Sequence, residues 1–117
     1  MALHTHLPIY KVAYDLLVVI TRLAKNMPRD FKKSIGERLR DECLEIVVLI
    51  FRANVAQDKG KHLVILLERL QVAELLLRLS KDMHLISVEQ YAVAIGLTDS
   101  AGKQANGWRR SSRSPAS

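Results

Sequence analysis

Apolar residues recur along this chain at helical spacing, and in several places they overfill it. Between about residues 8 and 26, Ile9, Val12, Leu16, Val19, Ile20 and Leu23 fall along one side of a helix, with Pro8 suited to its first position. The stretch Met27-Pro28-Arg29-Asp30 breaks that pattern. A second helix is predicted from about residue 34 to about residue 56, because Ser34-Ile35-Gly36-Glu37 has the capping-box spacing, with Asp30 as a competing earlier cap. Asp58-Lys59-Gly60 makes the next turn. A third helix follows from about residue 61 to about residue 81 on Leu63, Leu66, Leu67, Leu70, Ala73 and Leu77. After Met83-His84-Leu85, Ser87-Val88-Glu89-Gln90 offers another capping box, with Ile86 placed to staple against Tyr91. The fourth helix repeats Tyr91, Ala94, Ile95, Thr98, Ala101, Gly102 and Ala105 along one side and is expected to end near Gly107-Trp108.

Short turns between long helices favour antiparallel neighbours, so the predicted architecture is all-α, an up-down-up-down four-helix bundle over residues 1–108. Residues 109–117, with three arginines, four serines and no acid, have nothing to bury and are expected to form a disordered basic tail.

The overfilled stretches say more. Residues 44–51 read Leu-Glu-Ile-Val-Val-Leu-Ile-Phe, seven apolar positions in eight, where a surface helix carries roughly three or four per two turns. Residues 16–20, 63–67 and 75–79 repeat the excess. A chain of 117 residues covers one stripe per helix by folding on itself, so a second stripe needs another surface, and the expected surface is another copy of the chain.

Composition adds boundaries. A 49% hydrophobic content with 5% aromatics and 26% charged residues fits one aliphatic-packed domain. No apolar run approaches the roughly 20 residues of a membrane span, and Met-Ala-Leu-His-Thr-His is not a signal peptide, which makes the cytoplasm the expected location. The single cysteine, Cys43, sits within the helical pattern as a small core or interface residue.

Catalytic chemistry is thin. There is no Glu-x-x-His pair, no His-Glu-x-x-His, no Cys-x-x-Cys and no glycine-rich phosphate loop. His4 and His6 fall in a frayed N-terminus, and His62 and His84 beside turns, without acidic or cysteine partners in sequence. The chain is therefore expected not to be an enzyme and to hold no cofactor or metal. Glu42 and Glu74 fall inside apolar arcs, each with an arginine four positions away, Arg38 and Arg78. They read either as a proton-handling pair or as a buried ion network fixing helix register; the second is simpler because no pocket or metal partner accompanies them.

Net charge is +6, of which residues 1–108 carry 15 basic against 12 acidic groups. The basic residues cluster near predicted helix ends: Arg29, Lys32 and Lys33 before helix two, Lys59 and Lys61 before helix three, Arg109, Arg110 and Arg113 after helix four. Turn lengths leave open whether the first and last groups share a rim. Repeated around a ring of subunits, such patches become a continuous surface attractive to phosphate polymers. Phe31 and Trp108 are the nearby aromatics, and each reads better as a hydrophobic plug than as a base-stacking platform, so recognition should be phosphate-driven.

Taken in order, Tyr10, Pro28-Arg29, Ser34-Ile35-Gly36-Glu37-Arg38-Leu39, Leu76-Leu77-Arg78-Leu79, Leu85-Ile86-Ser87, Tyr91 and Gly107-Trp108 resemble the accessory variability determinant proteins of diversity-generating retroelements, over about residues 7 to 110. Those proteins are relatives of the ribosomal-RNA intervening-sequence proteins. The resemblance implies a four-helix bundle assembled as a barrel-like homopentamer that binds RNA or DNA and associates with a reverse transcriptase. Such a subunit supports mutagenic copying of template RNA into cDNA without catalysing it. The basic positions near matching motifs are Arg29, Arg38, Arg78, Arg109 and Arg110, to which position at a helix end adds Lys32 and Lys33. The alternative is a structural interaction bundle of the intervening-sequence type, whose partner is a protein.

Overall fold

A computed structural model describes residues 3–113, and within them the chain is all-helical. Four long helices carry the fold: α1 (Pro8–Lys25), α2 (Glu37–Val55), α3 (Lys59–Asp82) and α4 (Val88–Ser112). Each packs on its sequence neighbours, and α1 also closes on α4, which makes a four-helix bundle about 51 Å long and 20 × 19 Å in section. One end, the α1–α2 end, holds the α1–α2 and α3–α4 connections; the other, the α2–α3 end, holds the α2–α3 turn, the start of α1 and the close of α4.

The core is the set of inward stripes read from the sequence, with small shifts. On α1 it runs Ile9, Ala13, Leu16, Ile20 and Leu23, while Val12 and Val19 are only partly buried. Leu39, Cys43, Ile46, Leu49, Ile50 and Ala53 come from α2; Leu63, Leu66, Leu70, Ala73 and Leu77 from α3; Ala94, Thr98, Ala101 and Ala105 from α4. Phe31 and Trp108 are partly buried against the core, as the plug reading expected.

The connections differ in how well local sequence foretold them. The Ser87 capping box forms in both directions: Ser87 Oγ accepts from the Gln90 backbone N–H and the Ser87 N–H donates to Gln90 Oε1. Asp58 caps α3, accepting from the Lys61 N–H, so the helix begins at Lys59 rather than residue 61. At the end of α3, His84 stands at φ 60°, and the Leu85 N–H to Ser80 and His84 N–H to Lys81 bonds close a Schellman turn.

Two expectations are corrected. Ser34 does not cap α2: a helical turn at Arg29–Phe31 follows Pro28 and continues as a π-helical segment, Lys32–Gly36, into α2. Neither Asp30 nor Ser34 makes a capping bond there. Gly36 closes this segment where it packs tightly on the end of α1: a Cβ at this position would lie 3.2 Å from the Ala24 Cβ and 3.3 Å from the Met27 sulfur, so the absent side chain permits the close approach. Of the tail expected from residue 109, residues 109–112 are helical, since α4 runs through Arg109 and Arg110 to Ser112, and residues 114–117 lie outside those described.

Candidate nucleic-acid interface

The entry to α2 gathers cations. Residues 22–33 hold Arg22, Lys25, Arg29, Lys32 and Lys33 against one acid, Asp30. Arg29, Lys32 and Lys33 are exposed, as are Arg22 and Lys25 across the turn at the end of α1. None of the five makes an ion pair among the described residues. Lys25, Lys32 and Arg40 line a groove of about 290 Å³ with Thr21, Ala24 and Glu37, so side chains from both sides of the turn converge on one concave spot. An exposed cation with no carboxylate partner keeps its full charge for a phosphate. Arg22 and Lys25 escaped the sequence reading because they sit inside the α1 pattern; only the turn geometry brings Lys25 beside Lys32.

Arg38 and Arg78 behave differently. Arg38 Nε donates to Glu42 at 3.2 Å, and Arg69 from α3 donates to both oxygens of the same carboxylate at 3.3 and 3.2 Å. Glu42 is buried and both arginines are half-exposed, so this is the cross-helix ion network expected of that acid. Arg38 is thus partly neutralised. Arg78 stands 4.0 Å from Asp82 and not beside Glu74, whose carboxylate instead accepts from Thr98 Oγ1 at 2.9 Å. The expected Glu74–Arg78 pair does not form, because Thr98 on α4 faces Glu74 across the helix seam while Arg78 points along α3 to the helix end.

Arg109 and Arg110 lie at the α2–α3 end, roughly 36 Å away by the length of the 24-residue α3. Arg109 lines a polar groove of about 430 Å³ with Gln71, Glu74, Thr98 and Asn106, and its buried Nε lacks a hydrogen-bond partner among the described residues. Lys61, Arg110 and Arg113 are exposed there without ion pairs among the described residues. Lys59 is consumed structurally: its Nζ donates to the carbonyls of Ala53, Asn54 and Ala56, closing the C-terminus of α2. The structure therefore divides the candidate residues into two rims at opposite ends, each with unpaired cations.

A family profile, bAvd-like, matches residues 8–112. The chain belongs to the bAvd-like family. No curated protein matches it significantly. The match spans all four helices of the bundle, so both rims of this bAvd-like protein lie within the shared region.

Chemistry beyond charge is sparse. No three His, Cys, Asp or Glu side chains converge as a metal site among the described residues. Burial, with a smaller contribution from the neighbouring Glu42 carboxylate, pushes the Cys43 thiol up to about 12, which makes it an inert core group at neutral pH. His4 is held instead of frayed: within a short 3₁₀ turn, its ring stands edge-on to Tyr10 and Phe51 at 5.4 and 5.0 Å. No described helix is long and apolar enough to cross a membrane.

Proposed function

We propose that this bAvd-like protein is a non-catalytic, self-associating accessory subunit that binds nucleic acid and works beside a reverse transcriptase, supporting mutagenic copying of template RNA into cDNA. The observation that carries the binding half is the group of five unpaired cations at residues 22–33, drawn from both sides of a turn onto one bundle end. Counterion release gives such a surface affinity for any phosphate backbone with little sequence preference. The partner half rests on family membership, and five subunits is the number that the family resemblance implies.

Assembly supplies what one chain lacks. A handful of cations per protomer is a weak ligand alone, but a ring presents the same rim several times to one strand and converts later contacts into intramolecular ones. Any polymerisation belongs to the partner.

Co-expression with a retroelement reverse transcriptase, taken from the neighbourhood of this protein's gene where one is encoded there, followed by affinity purification, tests the reading. The expected result is recovery of both chains, with template-dependent cDNA synthesis lost when this chain is omitted and nucleic-acid affinity falling steeply with salt. A stable complex with some other protein, with no RNA or DNA binding at low ionic strength, would favour an interaction bundle of the intervening-sequence type.

A further inference from the structure

Resting on the nucleic-acid binding proposed above, we infer that the polar groove between α3 and α4 takes one unpaired guanine of a bound single strand, which adds base selectivity to the phosphate contacts. The groove, of about 430 Å³, falls within the size of small-ligand sites, roughly 300 to 1,000 Å³, and lies along the α3–α4 seam toward the α2–α3 end. Its floor is apolar and low. Leu67 and Leu70 come from α3 and Gly102 from α4, and a Cβ built on Gly102 would stand 3.9 Å from a Leu70 methyl, so the missing side chain leaves room for a flat ring.

The walls carry hydrogen-bonding groups that the chain leaves unused. Gln71 and Asn106 make no side-chain hydrogen bond among the described residues, and Glu74 accepts only from Thr98 Oγ1, at Oε2, which leaves Oε1 open. Arg109 Nε is the one buried side-chain nitrogen or oxygen without a partner among the described residues. Buried donors are nearly always paired, so an acceptor entering this groove supplies what the guanidinium lacks. Glu74 and Arg109 line the same groove from opposite helices, yet no ion pair joins them.

Those two walls select the occupant. A phosphate suits Arg109 but is repelled by a carboxylate, so the group that satisfies both presents acceptors to α4 and donors to α3. Among the bases only guanine sets two neighbouring acceptors, O6 and N7, beside two neighbouring donors, N1–H and N2–H, the first pair matched to a guanidinium and the second to a carboxylate. Adenine and cytosine offer one amino group and uracil one N–H. Because Glu74 would take the Watson–Crick edge, the base has to be unpaired. The flanking phosphates meet Arg110 and Arg113, exposed and without ion pairs among the described residues at the close of α4, whereas Lys103 on the lip of the groove is held by Asp99 at 3.1 Å.

The test uses the full chain and fluorescence anisotropy at low salt, with short uridine strands that carry one central guanosine, adenosine or inosine. The guanosine strand should bind roughly tenfold more tightly than the adenosine strand, with inosine, which lacks the N2 amino group, between them. Glu74→Gln keeps the side chain's size and an acceptor for Thr98, so it should preserve the fold by circular dichroism and the adenosine-strand affinity while bringing the guanosine strand down to the same level. Free guanosine monophosphate should compete weakly, since it brings no neighbouring phosphates. Equal affinity for the three strands, or a guanosine preference that survives Glu74→Gln, would overturn the guanine site and leave phosphate-driven binding standing. Competition by the free nucleotide as strong as by the strand would overturn the assignment to a strand. Failure of every strand to bind at low salt would remove the nucleic-acid reading and this site with it.

Discussion

Cys43 shows how one buried group reports on the core. Its thiol ionises near 12 in the fold against 9.0 when solvated, so the folded state holds a proton that the unfolded state releases between those values. The stability it contributes is complete below pH 9 and lost as pH rises toward 12, by about 1.4 kcal/mol at pH 10 relative to neutral pH. Urea unfolding of the parent chain and Cys43→Ala should therefore converge in stability between pH 8 and pH 10, because the variant has no thiol to titrate. Native protein should also leave Cys43 unreacted by thiol reagents at pH 8. Burial of Cys43 was legible from its neighbours Leu39 and Ile46; the pairing of nearby Glu42, held by arginines from two helices, was legible only for the Arg38 half, because Arg69 is 27 residues away in sequence.

Among the elements, the entry to α2 is where a local pattern misled. Ser34 and Glu37 have capping-box spacing, yet helical winding had already started at Arg29, since Pro28 fixes the preceding φ and leaves the first turn free to wind. The α1–α2 contact then decides the geometry through Gly36. Gly36→Ala should lose about 1 kcal/mol: overpacking against Ala24 and Met27 costs roughly 1 to 3 kcal/mol, partly offset by alanine's better helix propensity. Thermal melts of this variant should fall below the parent, and a rise in Tm would show that the α1 end yields freely. Ser87→Ala, where pattern and structure agree, should also lose about 1 kcal/mol, from the broken reciprocal cap.

For the molecule as a whole, the placement of cations on two distant ends makes the rims separable. Lys32→Glu with Lys33→Glu should reduce RNA affinity and flatten its dependence on log salt by up to about two units, roughly one for each phosphate no longer neutralised, without changing the oligomer measured by light scattering. Arg109→Glu with Arg110→Glu is the matched change at the opposite end. Equal losses from the two pairs would mean that nucleic acid spans the length of the bundle; a loss confined to the first pair assigns binding to the α1–α2 rim.

Sequence by itself determined the four helices, their inward stripes, the Ser87 cap and the excess of apolar surface, since periodicity and capping act between residues within a few positions of each other. Only the tertiary structure decided which cations remain unpaired. Arg69 joins Arg38 on Glu42, Lys59 is turned into the end of α2, and Lys25 joins Lys32 at one rim while Arg109 and Arg110 stand at the other. Those outcomes depend on helix register and on which ends meet, and register is set by how side chains from all four helices fill one shared core.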